Sequence, residues 1–221
     1  MQNKKIIQWY HRVLSYLFPI SILKIQNNKH NLLSLQIYCN QLMLSTGNAV
    51  YSYGTFYTPF RVAFKKIKHQ LPKVNTLLML GTGLGSALKI LQVKYHSYPT
   101  STLVDYDEDI IHLSKTYMEL NKKQNIEWHF EDALHYMEQN QKQFDLICVD
   151  VFRELYLPIE YRQDSFFSLC KRALNHHSFC IFNMILSNHQ EQELIEEKLH
   201  SHFKKVETIK RKQNVFFICK N

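Results

Sequence analysis

Three of the five glycines in this 221-residue chain fall within five positions, in the segment LLMLGTGLGSALKIL. Gly81, Gly83 and Gly85 follow an apolar run of strand type and precede an amphipathic stretch of helical type. Glycines at such a turn let the backbone approach a ligand closely, and the helix start offers free N–H groups. A dinucleotide motif would have its third glycine at Ser86, so the spacing favours a nucleoside without a pyrophosphate. A purely structural turn is the alternative interpretation.

Aspartates end the next three apolar runs along the chain. Asp105 stands about 20 residues after the glycine loop, where a carboxylate can accept hydrogen bonds from both hydroxyls of a ribose. Asp132 is placed to accept from the exocyclic amine of adenine, and Asp150 closes the run FDLICVD. Each could instead be a strand-end charge or a helix N-cap. Together they favour a binding site, because open α/β sheets bind ligands at the carboxyl ends of their strands.

The elements that would position these residues alternate regularly from residue 74 onward. Short apolar runs predict strands, and the amphipathic stretches between them predict helices of about 8–14 residues, which is typical of a parallel sheet covered on both faces. Two final strands, at 206–210 and 215–219, predict an antiparallel hairpin at one edge. The other predicted strands are 76–80, 102–105, 126–130, 144–149 and 179–185, and the predicted helices are 84–94, 108–120, 133–140, 164–174 and 189–202.

Residues 1–54 follow a different pattern and predict a small β-rich N-terminal region ahead of a main domain at 55–221. A short helix at 6–16 precedes strand candidates at 20–25, 32–38 and 41–44. A helix at 58–69, with Pro59 near its start, leads into the main domain. No apolar run reaches the roughly 18–20 residues that a membrane span needs, and polar residues interrupt the apolar N-terminal stretch. We therefore expect neither a membrane span nor a signal peptide.

The composition predicts a folded protein and indicates which classes of partner are disfavoured. Hydrophobic residues make up 45% of the chain, and 27 Lys and Arg against 19 Asp and Glu give a net charge of +8. The basic residues are dispersed apart from clusters at 65–68 and 204–212, so a solvated basic face is favoured over nucleic-acid binding. Five cysteines without CxxC spacing predict reduced core thiols and a cytoplasmic location. The twelve histidines are scattered, so no metal site is expected.

Residues 55–221 resemble a known enzyme family. The segments LLMLGTGLGSALKIL, LVDYDEDIIHLSKTYM, FEDALHYM and FDLICVDVF, with LPIEYRQDSFFSLCKRAL and the final NVFFICK, resemble the spermidine synthase-like branch of the S-adenosylmethionine-dependent methyltransferases. This resemblance implies a Rossmann-like class I methyltransferase fold. That fold has a mostly parallel seven-stranded sheet and an antiparallel C-terminal edge hairpin. The β-rich N-terminal region resembles a shortened form of the corresponding part of the family.

The resemblance also implies roles for individual residues. Gly81, Gly83 and Gly85 would wrap the methionine-derived part of S-adenosylmethionine or its decarboxylated form. Asp105 would hold the ribose, and Asp132 the adenine, with Ala133 beside it. Asp150 matches the carboxylate that receives a proton from the attacking amine in the aminopropyltransferases. It is thus the candidate catalytic residue.

Three positions depart from the pattern of the spermidine synthases. Leu84 stands where the glycine loop of those enzymes carries an Asp that holds the donor's free amine, so that amine is expected to face an apolar side chain. Arg153 stands where a second acid follows the first by three residues. Tyr57, Thr58 and Pro59 replace a Tyr-His-Glu or Tyr-Gln-Glu stretch. Arg153 and Tyr57 are the candidate acceptor-binding residues, and the doubly charged putrescine is expected to be a poor acceptor.

The first hypothesis for the function is alkyl transfer from S-adenosylmethionine or a close relative, with methyl as the expected group. The acceptor would be an unidentified small molecule that Asp150 orients or deprotonates. A polyamine aminopropyltransferase is the alternative within the family. The non-enzymatic alternative is a nucleoside-binding sensor or partner subunit without turnover. No membrane partner is expected, and a homodimer is left open.

Overall fold

A computed structural model of the protein describes residues 7–27, 29, 31–120, 124–153 and 155–221. The described strands form two sheets, one of four strands and one of seven. Within these described ranges, no helix is both long and apolar enough to cross a membrane. The predicted N-terminal helix lies partly outside them, because the first six residues are not described.

The four-stranded sheet is an antiparallel meander built from the N-terminal part of the chain. Its inward side chains, among them Leu33, Leu35 and Ile37, are fully or nearly fully buried. The fourth strand is missing from the sequence-based prediction, since it has four residues with one buried among them. The elements are α1 (Trp9–Leu14), β1 (Ile20–Asn27), β2 (Asn31–Tyr38), β3 (Gln41–Ser45) and β4 (Val50–Tyr53).

The seven-stranded sheet has the order β10-β11-β9-β8-β5-β6-β7. Strands β5 to β9 pair in parallel, and β11 pairs antiparallel with both β9 and β10. The mostly parallel sheet and the C-terminal edge hairpin predicted from the sequence are therefore confirmed. The strands are β5 (Thr76–Leu80), β6 (Thr100–Asp105), β7 (Ile126–Phe130), β8 (Phe144–Val149), β9 (Leu174–Ile185), β10 (Lys205–Arg211) and β11 (Asn214–Lys220).

Helices connect these strands close to the predicted positions, and their ends differ by up to three residues from the prediction. The helix predicted at 58–69, for example, ends at Lys66. The helix predicted to begin at Leu84 begins at Ser86, because Gly85 has a left-handed backbone with φ 70°. The helix predicted to reach residue 120 ends at Tyr117. Leu174, predicted as helical, is the first residue of the 12-residue strand β9. The four residues after it, 175–178, are polar, so the prediction began this strand only at residue 179. The helices are α2 (Thr58–Lys66), α3 (Ser86–Tyr95), α4 (Glu108–Tyr117), α5 (Ala133–Gln139), α6 (Asp164–Arg172) and α7 (His189–His202).

Successive side chains of the central strands enter two different cores, one on each face of the sheet. On β5, Leu78 and Leu80 pack in the cluster that contains α5, α6 and α7. Leu77 and Met79 pack in the cluster that contains α2 and α3. This alternation explains why the strand sequences are apolar almost throughout. All five cysteines are free thiols, and all but Cys39 are buried, as predicted for core residues.

Candidate active site

The carboxyl ends of the parallel strands open into a cavity of about 420 Å³. Backbone hydrogen bonds hold its floor together, since the N–H of Gly81 donates to Val104 (2.9 Å) and the N–H of Asp150 donates to Leu80 (2.8 Å). Eight of the nine candidate residues from the sequence line this cavity: Tyr57, Gly81, Gly83, Asp105, Asp132, Ala133, Asp150 and Arg153. Their individual roles remain predictions.

The ninth candidate residue, Gly85, faces another part of the protein. A Cβ atom there would overlap the side chain of Met118, and a Cβ on Gly81 would overlap the carbonyl oxygen of Asp150. Both glycines also have positive φ angles, which side chains disfavour. Close packing within the protein therefore requires these glycines, in addition to any approach of a ligand. Gly85 is not among the residues that line the cavity, and its predicted contact with the donor stays a prediction.

Gly83 gives the first testable prediction. A Cβ on Gly83 would lie 2.6 Å from the carbonyl oxygen of Tyr51 on β4, and the φ of +50° is strained for a β-branched residue. A valine there would restrict the loop backbone and fill space for a ligand, and the structure adds a clash with the N-terminal sheet. We expect Gly83→Val to lower the melting temperature and to abolish donor binding, measured by thermal denaturation and calorimetry.

The matched control for this change is Gly47→Val. A Cβ at Gly47 meets nothing within 4 Å, so the same substitution there is expected to leave stability and binding close to wild type. A Gly83→Val protein that folds and binds normally would show that the loop tolerates side chains and does not approach a ligand.

Asp105 is the last residue of β6, and its side chain is hydrogen-bonded to the glycine loop. Its carboxylate, 6% exposed, accepts from the backbone N–H of Thr82 (2.8 Å) and of Asp107 (3.1 Å). A carboxylate oxygen can accept more than one hydrogen bond, so these backbone contacts are compatible with the predicted contact to a ribose. Asp105, the residue predicted to bind the ribose, thus also stabilises the glycine loop.

Asp132 is the N-cap of α5, as the alternative interpretation of the sequence had it. One carboxylate oxygen accepts from the N–H of Leu134 (2.8 Å), and the other accepts from the hydroxyl of Tyr161 (2.7 Å). The carboxylate still faces the cavity, so its predicted contact with adenine stays open. Tyr161 escaped the sequence analysis, because nothing in LPIEYRQD distinguishes it from a packing tyrosine.

Asp150 receives hydrogen bonds on both of its carboxylate oxygens. The hydroxyl of Tyr57 donates to Oδ2 and the side-chain amide of Asn183 donates to Oδ1, each over 2.7 Å. Burial raises the pKa of Asp150 to about 6, although the two hydrogen bonds act in the opposite direction. A carboxylate that titrates near neutrality and stays oriented is suited to accept a proton from a substrate.

The sequence positions Tyr57 through the start of a helix. Tyr57 is the N-cap residue of α2, and Pro59 fixes the first turn behind it. Its ring is buried, and burial together with the charge of Asp150 raises the pKa of its hydroxyl well above the ordinary value. Tyr57 therefore stays protonated and donates to Asp150 across the working pH range.

Arg153 lines the cavity, as predicted for an acceptor-binding residue, whereas Leu84 is not among the residues that line it. The guanidinium of Arg153 lies 5.6 Å from the ring centre of Tyr106, which follows the ribose candidate Asp105, and 4.0 Å from Glu160. Leu84 is 6% exposed and packs among buried residues of the N-terminal sheet and α4. This packing gives no support to the expectation that the donor's amine faces Leu84.

The described part of the chain contains no group of three or more His, Cys, Asp or Glu side chains that could hold a metal ion. The polar groups that line the cavity include the carboxylates of Asp105, Asp132 and Asp150, the guanidinium of Arg153 and the amides of Asn183 and Asn214.

The strand order, the edge hairpin and the glycine loop at the rim define a Rossmann-like protein of the class I methyltransferase type. Within that class, the sequence model described as "Spermine/spermidine synthase domain" matches residues 62–219, and the chain belongs to this family.

Individual relatives agree with this assignment. Over 84 residues the chain is 31% identical to the polyamine aminopropyltransferase of Lachnoclostridium phytofermentans, a match that covers 36% of this chain and 29% of that protein. A probable spermidine synthase from Corynebacterium glutamicum superposes with a TM-score of 0.72 at 15% identity, over 90% of this chain and 79% of the other. Human methyltransferase-like protein 13 in complex with SAH gives 0.60 at 17% identity, over 72% and 78%.

Proposed function

We propose that this protein transfers an aminopropyl group from decarboxylated S-adenosylmethionine to an amine acceptor. Similar folds occur in a probable spermidine synthase and in a methyltransferase-like protein, so the fold alone leaves the transferred group open. The family match favours aminopropyl over the methyl group of the first hypothesis. The observation that carries the proposal is Asp150, a carboxylate with a pKa of about 6 held by two donors at the rim of the cavity.

The residues at the rim fit a nucleoside donor. A cavity of about 420 Å³ lies within the usual range for small-molecule sites. Asp105 offers a buried carboxylate for a vicinal diol, and Asp132 offers a second carboxylate at the start of α5. Gly81 and Gly83 of the glycine loop line the same cavity. The donor would supply an electrophilic carbon bonded to a sulfonium.

Each residue near Asp150 has a defined task in this proposal. Asp150 accepts the proton that the acceptor amine loses as its nitrogen forms the new bond, and the electrons of the broken carbon–sulfur bond remain on sulfur. Tyr57 and Asn183 fix the carboxylate in one orientation, which reduces the reorganisation needed when the amine reacts. The aromatic and apolar side chains around the cavity, such as Phe56, Phe152 and Ile185, exclude water.

The direct test compares two donors across a set of amines. Purified protein is incubated with decarboxylated S-adenosylmethionine or with S-adenosylmethionine, each with diamines and monoamines, and the nucleoside product is followed by mass spectrometry. We expect methylthioadenosine to form from the decarboxylated donor. Formation of S-adenosylhomocysteine instead would reinstate methyl transfer. Tight donor binding with no turnover on any amine would identify a sensor.

Arg153 gives a prediction about the acceptor. Its positive charge lines the cavity in which a doubly charged amine would have to bind, so we expect the wild-type protein to convert putrescine poorly. Arg153→Asp should raise the turnover of putrescine by about tenfold or more, because reversing one nearby charge in a partly exposed site is worth about 1–2 kcal/mol.

The experiment includes a neutral control, Arg153→Gln, which should give an intermediate rate. Fast wild-type turnover of putrescine that Arg153→Asp does not change would contradict the assignment of Arg153 to acceptor selection. A companion change at Leu84 is not useful, since Leu84→Asp would place a charge among buried apolar residues of the N-terminal sheet.

A further inference from the structure

We propose that Asn214 is a positioning residue for the catalytic carboxylate and acts through Asn183. This inference rests on the proposed function for the role of Asp150, but its geometry stands on three side chains. The amide of Asn214 donates to Oδ1 of Asn183 (2.9 Å), and the amide of Asn183 donates to Oδ1 of Asp150 (2.7 Å). The three residues come from β11, β9 and the end of β8, which are adjacent strands.

The orientation of the Asn183 amide decides whether it helps or opposes Asp150. An asparagine side chain presents an NH₂ group on one side and an oxygen on the other, and the two differ little in shape. Only the NH₂ group stabilises the ionised carboxylate, because an oxygen in the same place would repel it. Since Asn214 donates to the oxygen of Asn183, it keeps the NH₂ group directed at Asp150.

The orientation of the Asn183 amide matters because this side chain is buried. Asn183 is 2% exposed, so solvent does not compensate for a wrongly oriented amide. Asn214 is half-buried at the first position of β11, directly after the hairpin turn, and lines the cavity. The turn between β10 and β11 is remote from the glycine loop in sequence, yet it helps to set the protonation state of Asp150.

The charged and titratable groups that face Asp150 are few among the described residues. Tyr57 is its other hydrogen-bond partner, and the thiol of Cys148 lies nearby on β8. Burial, followed by the charge of Asp150, raises the pKa of both groups well above its ordinary value, so neither ionises near neutrality. The carboxylates of Asp105 and Asp132 and the guanidinium of Arg153 line the same cavity from other parts of the chain. The readout specific to Asp150 is therefore its own carboxyl titration, and the acidic limb of activity is compared with it.

The test follows Asp150 directly and through activity. We expect Asn214→Ala to move the acidic limb of the pH profile of kcat/KM upward by about one pH unit, with the plateau at high pH retained. Below the limb the rate falls by about tenfold relative to wild type, since one unit is a factor of ten. Infrared titration of the Asp150 carboxyl, identified by difference from Asp150→Asn, should show the same shift without any turnover.

Two further variants separate positioning from general damage to the hairpin. Gln213→Ala removes an amide from the same turn, and we expect its acidic limb to stay in place whatever its effect on KM. Asn183→Leu should shift the Asp150 titration by at least as much as Asn214→Ala, and adding Asn214→Ala to it should have no further effect. Thermal denaturation establishes that each variant is folded.

The outcomes distinguish this inference from the proposed function. An infrared titration of Asp150 that is unchanged in folded Asn214→Ala overturns the positioning role, whether or not the protein is active. A titration that shifts as expected, with no transfer to any amine, supports the positioning role and removes the proposed function. Equal shifts in Asn214→Ala and Gln213→Ala would assign the effect to the turn as a whole and overturn the role of Asn214.

Discussion

Replacing Asp150 with Asn is expected to slow transfer by about 10²–10⁴-fold, the usual contribution of a general base. The amide keeps the shape of the carboxyl and can still meet Tyr57, but it cannot take a proton from the acceptor. Donor binding should be retained, because the proposed function assigns Asp150 to the acceptor amine and assigns the ribose and the adenine to Asp105 and Asp132. Single-turnover rates and calorimetric donor binding together measure both quantities.

The control for this change is an aspartate on the same strand. Asp145 lies near the start of β8, where burial alone would raise the pKa of its carboxyl. Hydrogen bonds from Asn175 and from the backbone of Asn75 and Thr76 lower that pKa below its ordinary value. Asp145→Asn should therefore cost stability at neutral pH and leave the transfer rate unchanged. If Asp150→Asn turned over at the wild-type rate, the base would have to be another group.

Asp105→Ala is expected to weaken donor binding by about 10²-fold or more, from the loss of two charge-assisted hydrogen bonds of about 1.5–3 kcal/mol each. Calorimetry with decarboxylated S-adenosylmethionine measures the affinity. The structure adds a second effect, because Asp105 also holds the backbone of Thr82 in the glycine loop. Part of the loss will then appear as lower stability of the unliganded protein.

Asp105→Asn separates the two effects. Its oxygen can still accept from the N–H of Thr82, whereas its NH₂ group cannot accept from the N–H of Asp107, and the charge that strengthens hydrogen bonds from a ribose is gone. We expect the asparagine variant to recover part of the stability and part of the affinity. Unchanged donor affinity in the alanine variant would show that Asp105 supports the loop and does not bind the ribose.

The sequence predicts the architecture of the site well, for a physical reason. Parallel strands place all their carboxyl ends at one edge of the sheet, so residues that follow successive strands meet there whatever the details of packing. Gly81, Asp105, Asp132 and Asp150 each follow a strand, and the structure brings all four to one cavity. The apolar runs and the helices between them are enough to establish this arrangement.

Other features of the site depend on contacts that no local pattern encodes. Asn183 interrupts the apolar strand FCIFNMI, a sign of a buried polar partner, but its pairing with Asn214 depends on the register of β9 against β11. Leu84 occupies a position associated with ligand binding, yet it packs toward the N-terminal sheet. The orientation of Arg153 follows from the path of the segment after β8. Such contacts are decided by tertiary packing.

The two sheets differ in how far apart in the chain their strands lie, which has a consequence for folding. In the N-terminal meander each strand pairs with the next one along the chain, whereas β5 pairs with β8 across two intervening helix–strand units. Local pairing closes short loops at little entropic cost and is fast, while distant parallel pairing is slow. The glycine loop lies between the two sheets, since Gly83 abuts Tyr51 and Leu84 packs beneath it. We therefore expect the meander to form early, and we expect the binding site to be among the last parts of the protein to acquire protection from hydrogen exchange.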